Sequence, residues 1–135
     1  MMPKIFKNNA FLRKLSGFQR RRENLRLVVN DNEVSLFAND KEAWRFPWNE
    51  VARIETYKRD LFSVDLICLD FAVESRKLTY HAHEDMQGFR DLWESMCRRF
   101  PSIDEHWLPQ VASPPFATNR KVLYQRRPAN EHNQI

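Results

Sequence analysis

Apolar and polar positions alternate through the first half of the chain. Leu25, Leu27 and Val29 alternate with Arg26, Val28 and Asn30, a period of two that predicts a strand with at least one buried face. Asn30-Asp31-Asn32 supplies turn chemistry, because these side chains bond nearby backbone and tolerate left-handed dihedrals. Residues 34–38 then read as a second strand, Asn39-Asp40-Lys41 as the next turn, and 43–46 as a short third strand. Pro47-Trp48-Asn49-Glu50 breaks the meander, since proline fixes its own φ and drives the residue before it towards extended backbone. Ala52, Ile54 and Thr56 against Arg53, Glu55 and Tyr57 predict a fourth strand, with Lys58-Arg59-Asp60 as its turn. Residues 64–73 are apolar on both faces, Ile67, Leu69, Phe71 and Val73 on one and Val64, Leu66 and Cys68 on the other. Such a strand belongs in the middle of a sheet. After Glu74-Ser75-Arg76-Lys77, the residues Leu78, Tyr80 and Ala82 form the inner face of a sixth strand and leave His81 and His83 on an exposed one.

The period then changes. Met86, Phe89, Trp93, Met96 and Phe100 recur every three or four residues, flanked by Leu92 and Cys97, with Arg90, Asp91, Glu94 and Arg98 opposite. This is an amphipathic helix, for which Asp85 is the expected N-cap and Pro101 the stop. Ser102-Ile103-Asp104-Glu105 fits a capping box ahead of a short second helix that runs through Trp107 and is cut at Pro109. Ser113-Pro114-Pro115-Phe116 is an extended segment, and Val122, Leu123 and Tyr124 fit a docked final strand or a pinned arm. The polar residues 128–135 read as disordered. The expected division is a basic amphipathic arm over 1–23, a domain over 24–111 and an extended tail over 112–135.

Composition narrows the class. A chain of 135 residues, 42% hydrophobic, fits one domain with a core of its own, and no apolar run is long enough to cross a membrane. Two glycines leave nothing from which to build a phosphate-cradling loop or a dinucleotide fingerprint. The net charge of +4 hides an asymmetry. Residues 1–22 hold Lys4, Lys7, Arg13, Lys14, Arg20, Arg21 and Arg22 without an acid, whereas the stretch from 23 to 119 is net acidic. The two cysteines, Cys68 and Cys97, fall at apolar positions and read as reduced core residues. With no secretory signal pattern at the N-terminus, the expected localisation is cytoplasmic.

Short antiparallel strands followed by one amphipathic helix over residues 24–101 resemble the bacterial pleckstrin-homology-like domains. Phe46-Pro47-Trp48-Asn49-Glu50-Val51-Ala52-Arg53-Ile54 is similar to their strand-turn-strand passage, in which Trp48 would pack in the core. The resemblance implies an α+β fold, a PH-like antiparallel β-barrel or sandwich of six to seven strands closed by a C-terminal amphipathic helix. A fainter resemblance joins residues 57–62, 65–69 and 115–120 to uncharacterised bacterial proteins of toxin-associated, immunity type. It implies a partner that is a toxin domain and an action that is occlusion of its active site.

Four side-chain groups carry candidate chemistry. His81 and His83 share one face of a strand and could ligate a metal with Glu84, Asp85 or His106, but no ligand spacing accompanies them, and an ordinary exposed face is the simpler reading. Asp60, Asp65 and Asp70, with Glu55, could supply paired carboxylates, yet Asp65 and Asp70 fall on opposite faces of a regular strand. Phe11, Leu15 and Phe18, spaced four and three apart among Arg13, Lys14, Arg20, Arg21 and Arg22, suit an anionic membrane surface or nucleic acid, or internal packing. Of Trp44, Trp48 and Trp107, one is expected at the surface as a binding aromatic. The expected function is that of a non-catalytic protein-binding module without metal or cofactor, possessing neither catalytic nor cofactor-binding residues. The alternatives are a peripheral membrane or nucleic-acid binder working through the arm, and a metal-dependent enzyme centred on His81 and His83. Oligomeric state is left open.

Overall fold

The structure is a computed structural model that describes residues 24–61, 64–113 and 119–126. The elements are β1 (Leu25–Val29), β2 (Glu33–Ala38), β3 (Lys41–Pro47), β4 (Val51–Leu61), β5 (Val64–Val73), β6 (Leu78–His83), α1 (Phe89–Arg99), α2 (Trp107–Ala112) and β7 (Lys121–Gln125). They build an α+β sandwich of two antiparallel sheets, one ordered β1-β2-β3 and the other β6-β5-β4-β7. Seven described strands fall within the expected range, but the two sheets are separately hydrogen-bonded and do not close into one barrel. The expected basic arm over 1–23 lies outside the described residues.

Local chemistry explains the turns. Asn39 and Asp40 both adopt positive φ, 53° and 70°, and join Ala38 to Lys41 by a two-residue hairpin of the kind that follows strand twist. A short 3-10 turn at Trp48–Glu50 follows Pro47 and carries the chain from the first sheet into the second. Trp48 anchors that corner. Its indole N–H donates to the Asn30 carbonyl at 3.0 Å, and its ring meets Phe46, Phe71 and Phe100 edge-on. Phe46 of β3 and Phe71 of β5 touch across the sandwich with ring centroids 5.3 Å apart, so the core lies between the sheets. Helix α1 adds Phe89, Leu92 and Met96 to it, and α2 adds Trp107 and Val111.

Several expectations are corrected. Lys58-Arg59-Asp60 is not a turn: β4 continues to Leu61, with Lys58 opposite Ile67 and Arg59 opposite Leu66. The buried ammonium of Lys58 is held by the Ala112 carbonyl at 2.9 Å and by Asp65 at 3.4 Å, which makes a charged residue tenable inside a strand. Helix α1 starts after Gly88, not at Asp85, because the chain first bonds to β1 through Gln87. Met86 is therefore buried ahead of the helix, and Leu92, not Trp93, sits at the centre of its buried side. The capping box does not form. Asp104 instead accepts the His106 backbone N–H at 2.9 Å and the Gln110 amide at 2.8 Å. Pro109 lies in the first turn of α2 and does not end it, since a backbone N–H there has no intrahelical acceptor to lose. The tail segment contributes β7, which pairs with β4 from Arg53↔Gln125 to Thr56↔Lys121.

Candidate functional sites

Two groups of side chains stand out, one on a sheet face and one where the two sheets meet. The first lies on the face of the four-stranded sheet that points away from the core. There the register aligns Glu55, Asp70 and His81 in one row and Tyr57, Cys68 and His83 in the next. Asp70 Oδ1 lies 2.8 Å from His81 Nδ1 and 3.3 Å from the Tyr57 hydroxyl. A carboxylate only accepts, so both neighbours donate to it, and a neutral His81 carries its proton on Nδ1. His81 Nε2 is buried, with no hydrogen-bond partner among the described residues.

At the β7 side of this face, Glu55 binds Arg53 at 2.7 Å and also Arg120. The Arg120 guanidinium covers the Tyr57 ring, 4.1 Å from its centroid. Burial opposes ionisation of Glu55, but Arg53 and Arg120 outweigh it and hold the carboxyl below the usual carboxylate range.

The expected exposed histidine face is corrected: His83 is 7% exposed and Cys68 fully buried. Burial keeps this chemistry neutral. It pulls His83 down to about 3, with the neighbouring His81 and Arg59 adding to the effect, and pushes the Cys68 thiol up to about 12. Burial and the Asp70 charge also raise the Tyr57 phenol. A thiol with so high a pKa is a poor nucleophile at neutral pH. His83 Nδ1 already accepts the Asp85 backbone N–H at 3.2 Å, and among the described residues no group of three His, Cys, Asp or Glu could hold a metal ion.

Asp65 and Asp70 lie on opposite faces of β5, as the strand alternation predicts. Asp70 belongs to this face, whereas Asp65 points to the core side and meets Lys58. The Tyr57–Asp70–His81 cluster is not evident from sequence spacing, because it is assembled by register across three strands. The sole hint is Asp70 and the histidines at outward positions of neighbouring strands.

The second group lies where β3, an edge of the first sheet, approaches β6, an edge of the second. Trp48 and Trp107, two of the three candidate binding aromatics, are 1% and 0% exposed and belong to the core. Trp44 is part-exposed. Its ring stacks on Phe46 at 5.7 Å and meets the Tyr80 ring edge-on at 5.2 Å. Arg76, in the turn between β5 and β6, spans the seam: its Nη1 donates to the Arg45 carbonyl at 2.8 Å and to the Tyr80 hydroxyl at 3.3 Å. Leu78, exposed at the start of β6, lies two residues from Tyr80 on the same side of its strand. Arg45 is itself held by Glu33 at 3.0 Å and Glu42 at 2.6 Å. The result is an aromatic fixed on a packed base, with an apolar neighbour and an arginine rim.

The remaining candidates, Arg13, Lys14, Arg20, Arg21 and Arg22, lie outside the described residues. Among the described residues, no helix is long and apolar enough to cross a membrane. Compared with known proteins, the chain matches no family model, no curated protein and no solved structure.

Proposed function

We propose that this chain is a non-catalytic protein-binding module of pleckstrin-homology-like type that engages its partner at the β3–β6 seam. The observation that carries this reading is Trp44, part-exposed and packed on Phe46 and Tyr80. An immobilised tryptophan loses little conformational freedom on binding, and buried tryptophan and arginine anchors dominate protein interfaces. β3 and β6 are also edge strands, so an extended partner segment can add main-chain hydrogen bonds beside that anchor. The neutral state of Cys68 and His83 supports the reading too, because binding by occlusion requires no activated nucleophile or base. In the immunity-type version, the partner is a toxin domain whose active site the seam covers.

The test is purification from the native host of the full chain and of its Trp44→Ala and Leu78→Asp variants. One stoichiometric protein is expected with the unaltered chain. Each variant should lose it at least tenfold while far-UV dichroism shows a folded domain. A partner retained equally by all three, or only lipid or nucleic acid in the eluate, would refute the proposal.

A further inference from the structure

The face of the four-stranded sheet that carries Tyr57, Asp70 and His81 is buried without a described layer to bury it. Leu66 and Cys68 are 3% and 0% exposed, yet they lie outside the core cluster, and their side chains point opposite to Ile67 and Leu69. Both described helices are on the other side. Phe89, Leu92, Met96, Trp107 and Val111 pack with the core-side residues, and the end of α2 is tied to Lys58, which points inward like Ile54 and Thr56. A sheet face does not exclude water from a leucine and a cysteine on a central strand unless something lies on it.

We propose that the basic N-terminal arm, through the apolar residues between Ile5 and Phe18, is that layer. No other stretch of this chain outside the described residues both reaches across the whole face to β6 and brings the apolar residues to cover it. Residues 114–118 leave Ser113 and return to Asn119, whose side-chain amide bonds the Ser113 carbonyl at 2.8 Å. A loop so tied carries its backbone about 10 Å from its base at most. β6 lies three strand spacings from β7, roughly 14 Å, and buried His83 is on β6. Residues 62–63 are a two-residue link between β4 and β5. Residues 127–135 hold one bulky apolar residue, Ile135.

The arm has the length and the composition. Ile5, Phe6, Phe11, Leu12, Leu15 and Phe18 fall within fourteen positions, which reach about 20 Å even when coiled as a helix and farther when extended. Its exit point also fits. The arm runs into Asn24 and β1, and β1 is bonded to Gln87 through Leu27 N–H to the Gln87 carbonyl at 2.7 Å and Gln87 N–H to the Leu25 carbonyl at 3.0 Å. Gln87 is four residues beyond His83, so the arm leaves the domain within about 15 Å of the histidine end of the face it covers. The arm thus acts as a strap over the Tyr57–Asp70–His81 cluster and over Cys68. This inference does not depend on the β3–β6 seam being the partner site.

Thiol labelling of the full-length chain, with Cys97→Ser leaving Cys68 as the only cysteine, tests the strap. With the native arm, Cys68 should label slowly. Replacing Phe11, Leu15 and Phe18 together by Asp should speed labelling at least tenfold while far-UV dichroism and the unfolding midpoint show a folded domain. Equal protection in a folded variant would overturn the proposal. Should the triple variant not fold, a photo-crosslinking amino acid placed at Leu15 of the otherwise native chain decides the matter. Cross-links within one chain to residues 64–83, independent of protein concentration, are expected. Cross-links only between two copies, only to lipid, only to another part of the chain, or none at all, would overturn it.

Discussion

Lys58 Nζ lies 3.4 Å from Asp65 Oδ2, on the core side of the β4–β5 hairpin, with the lysine side chain 2% exposed. The same ammonium donates to the Ala112 carbonyl at 2.9 Å, so one buried charge ties the hairpin to the end of α2. Removing one member of such a pair strands the other in a poor solvent. Lys58→Met should therefore destabilise the domain by about 3–5 kcal/mol in urea unfolding, and Asp65→Asn by a similar amount. The double variant should lose less than the sum by roughly 1–3 kcal/mol. Additive losses would show that the two charges do not act together.

Gly88 has a left-handed backbone, φ +91°, and a Cβ built on it would stand 2.6 Å from the Leu27 carbonyl oxygen. The contact is with backbone in a strand that is itself bonded to Gln87, so the neighbour has little freedom to retreat. Gly88→Ala combines unfavourable dihedrals with that clash and should cost roughly 1–3 kcal/mol or more. A lowered denaturation midpoint with α1 still formed is the expected result. An unchanged midpoint would mean that β1 and the start of α1 do not approach as described.

His83 makes stability depend on pH. Its pKa in the fold is about 3, below the ordinary value of 6.5, because burial penalises the imidazolium. Below pH 6.5 the unfolded chain thus takes up a proton that the native one does not, and stability falls as the pH drops from 6.5 towards 3. At pH 5 the loss relative to neutrality is about 2 kcal/mol from this residue. His83→Asn retains an acceptor for the Asp85 N–H but has no proton to gain. Its unfolding free energy should decline less steeply than that of the unaltered chain between pH 6.5 and 5. Parallel declines would remove His83 from the account.

Strand alternation was legible because it depends on nearest neighbours along the chain. Leu27, Ile54 and Phe71 announce their buried faces, and Asn39-Asp40 its hairpin. What failed depended on partners distant in sequence. Lys58 resembles a turn residue until Asp65 and the Ala112 carbonyl are brought to it, and His81 and His83 look solvent-facing until the outer face is found buried. Of the three candidate tryptophans, Trp48 was placed in the core by the local passage around Pro47, whereas Trp44 and Trp107 carry no local mark of their fates. Trp48 is buried between Phe46 of one sheet and Phe71 of the other and Trp107 against Trp93 of α1, while Trp44 sits where the sheets stop short of each other. The Tyr57–Asp70–His81 cluster was illegible for the same reason, since register across three strands creates it.

The two tryptophans flanking Phe46 and Pro47 should consequently separate stability from binding. Trp48→Ala removes a fully buried ring and its hydrogen bond to Asn30 and should cost about 3–5 kcal/mol. Trp44→Ala deletes a part-exposed ring and should cost less than half as much in the same denaturation experiment. Equal losses would place Trp44 in the core and leave the seam without an anchor.

The most direct test of partner binding at the β3–β6 seam is site-specific photo-crosslinking in the native host, with the reactive amino acid in place of Leu78. One cross-linked protein is expected from position 78 and none from Val28, a comparably exposed apolar residue on β1. A protein captured equally from both positions, or nucleic acid or lipid captured from position 78, would contradict it.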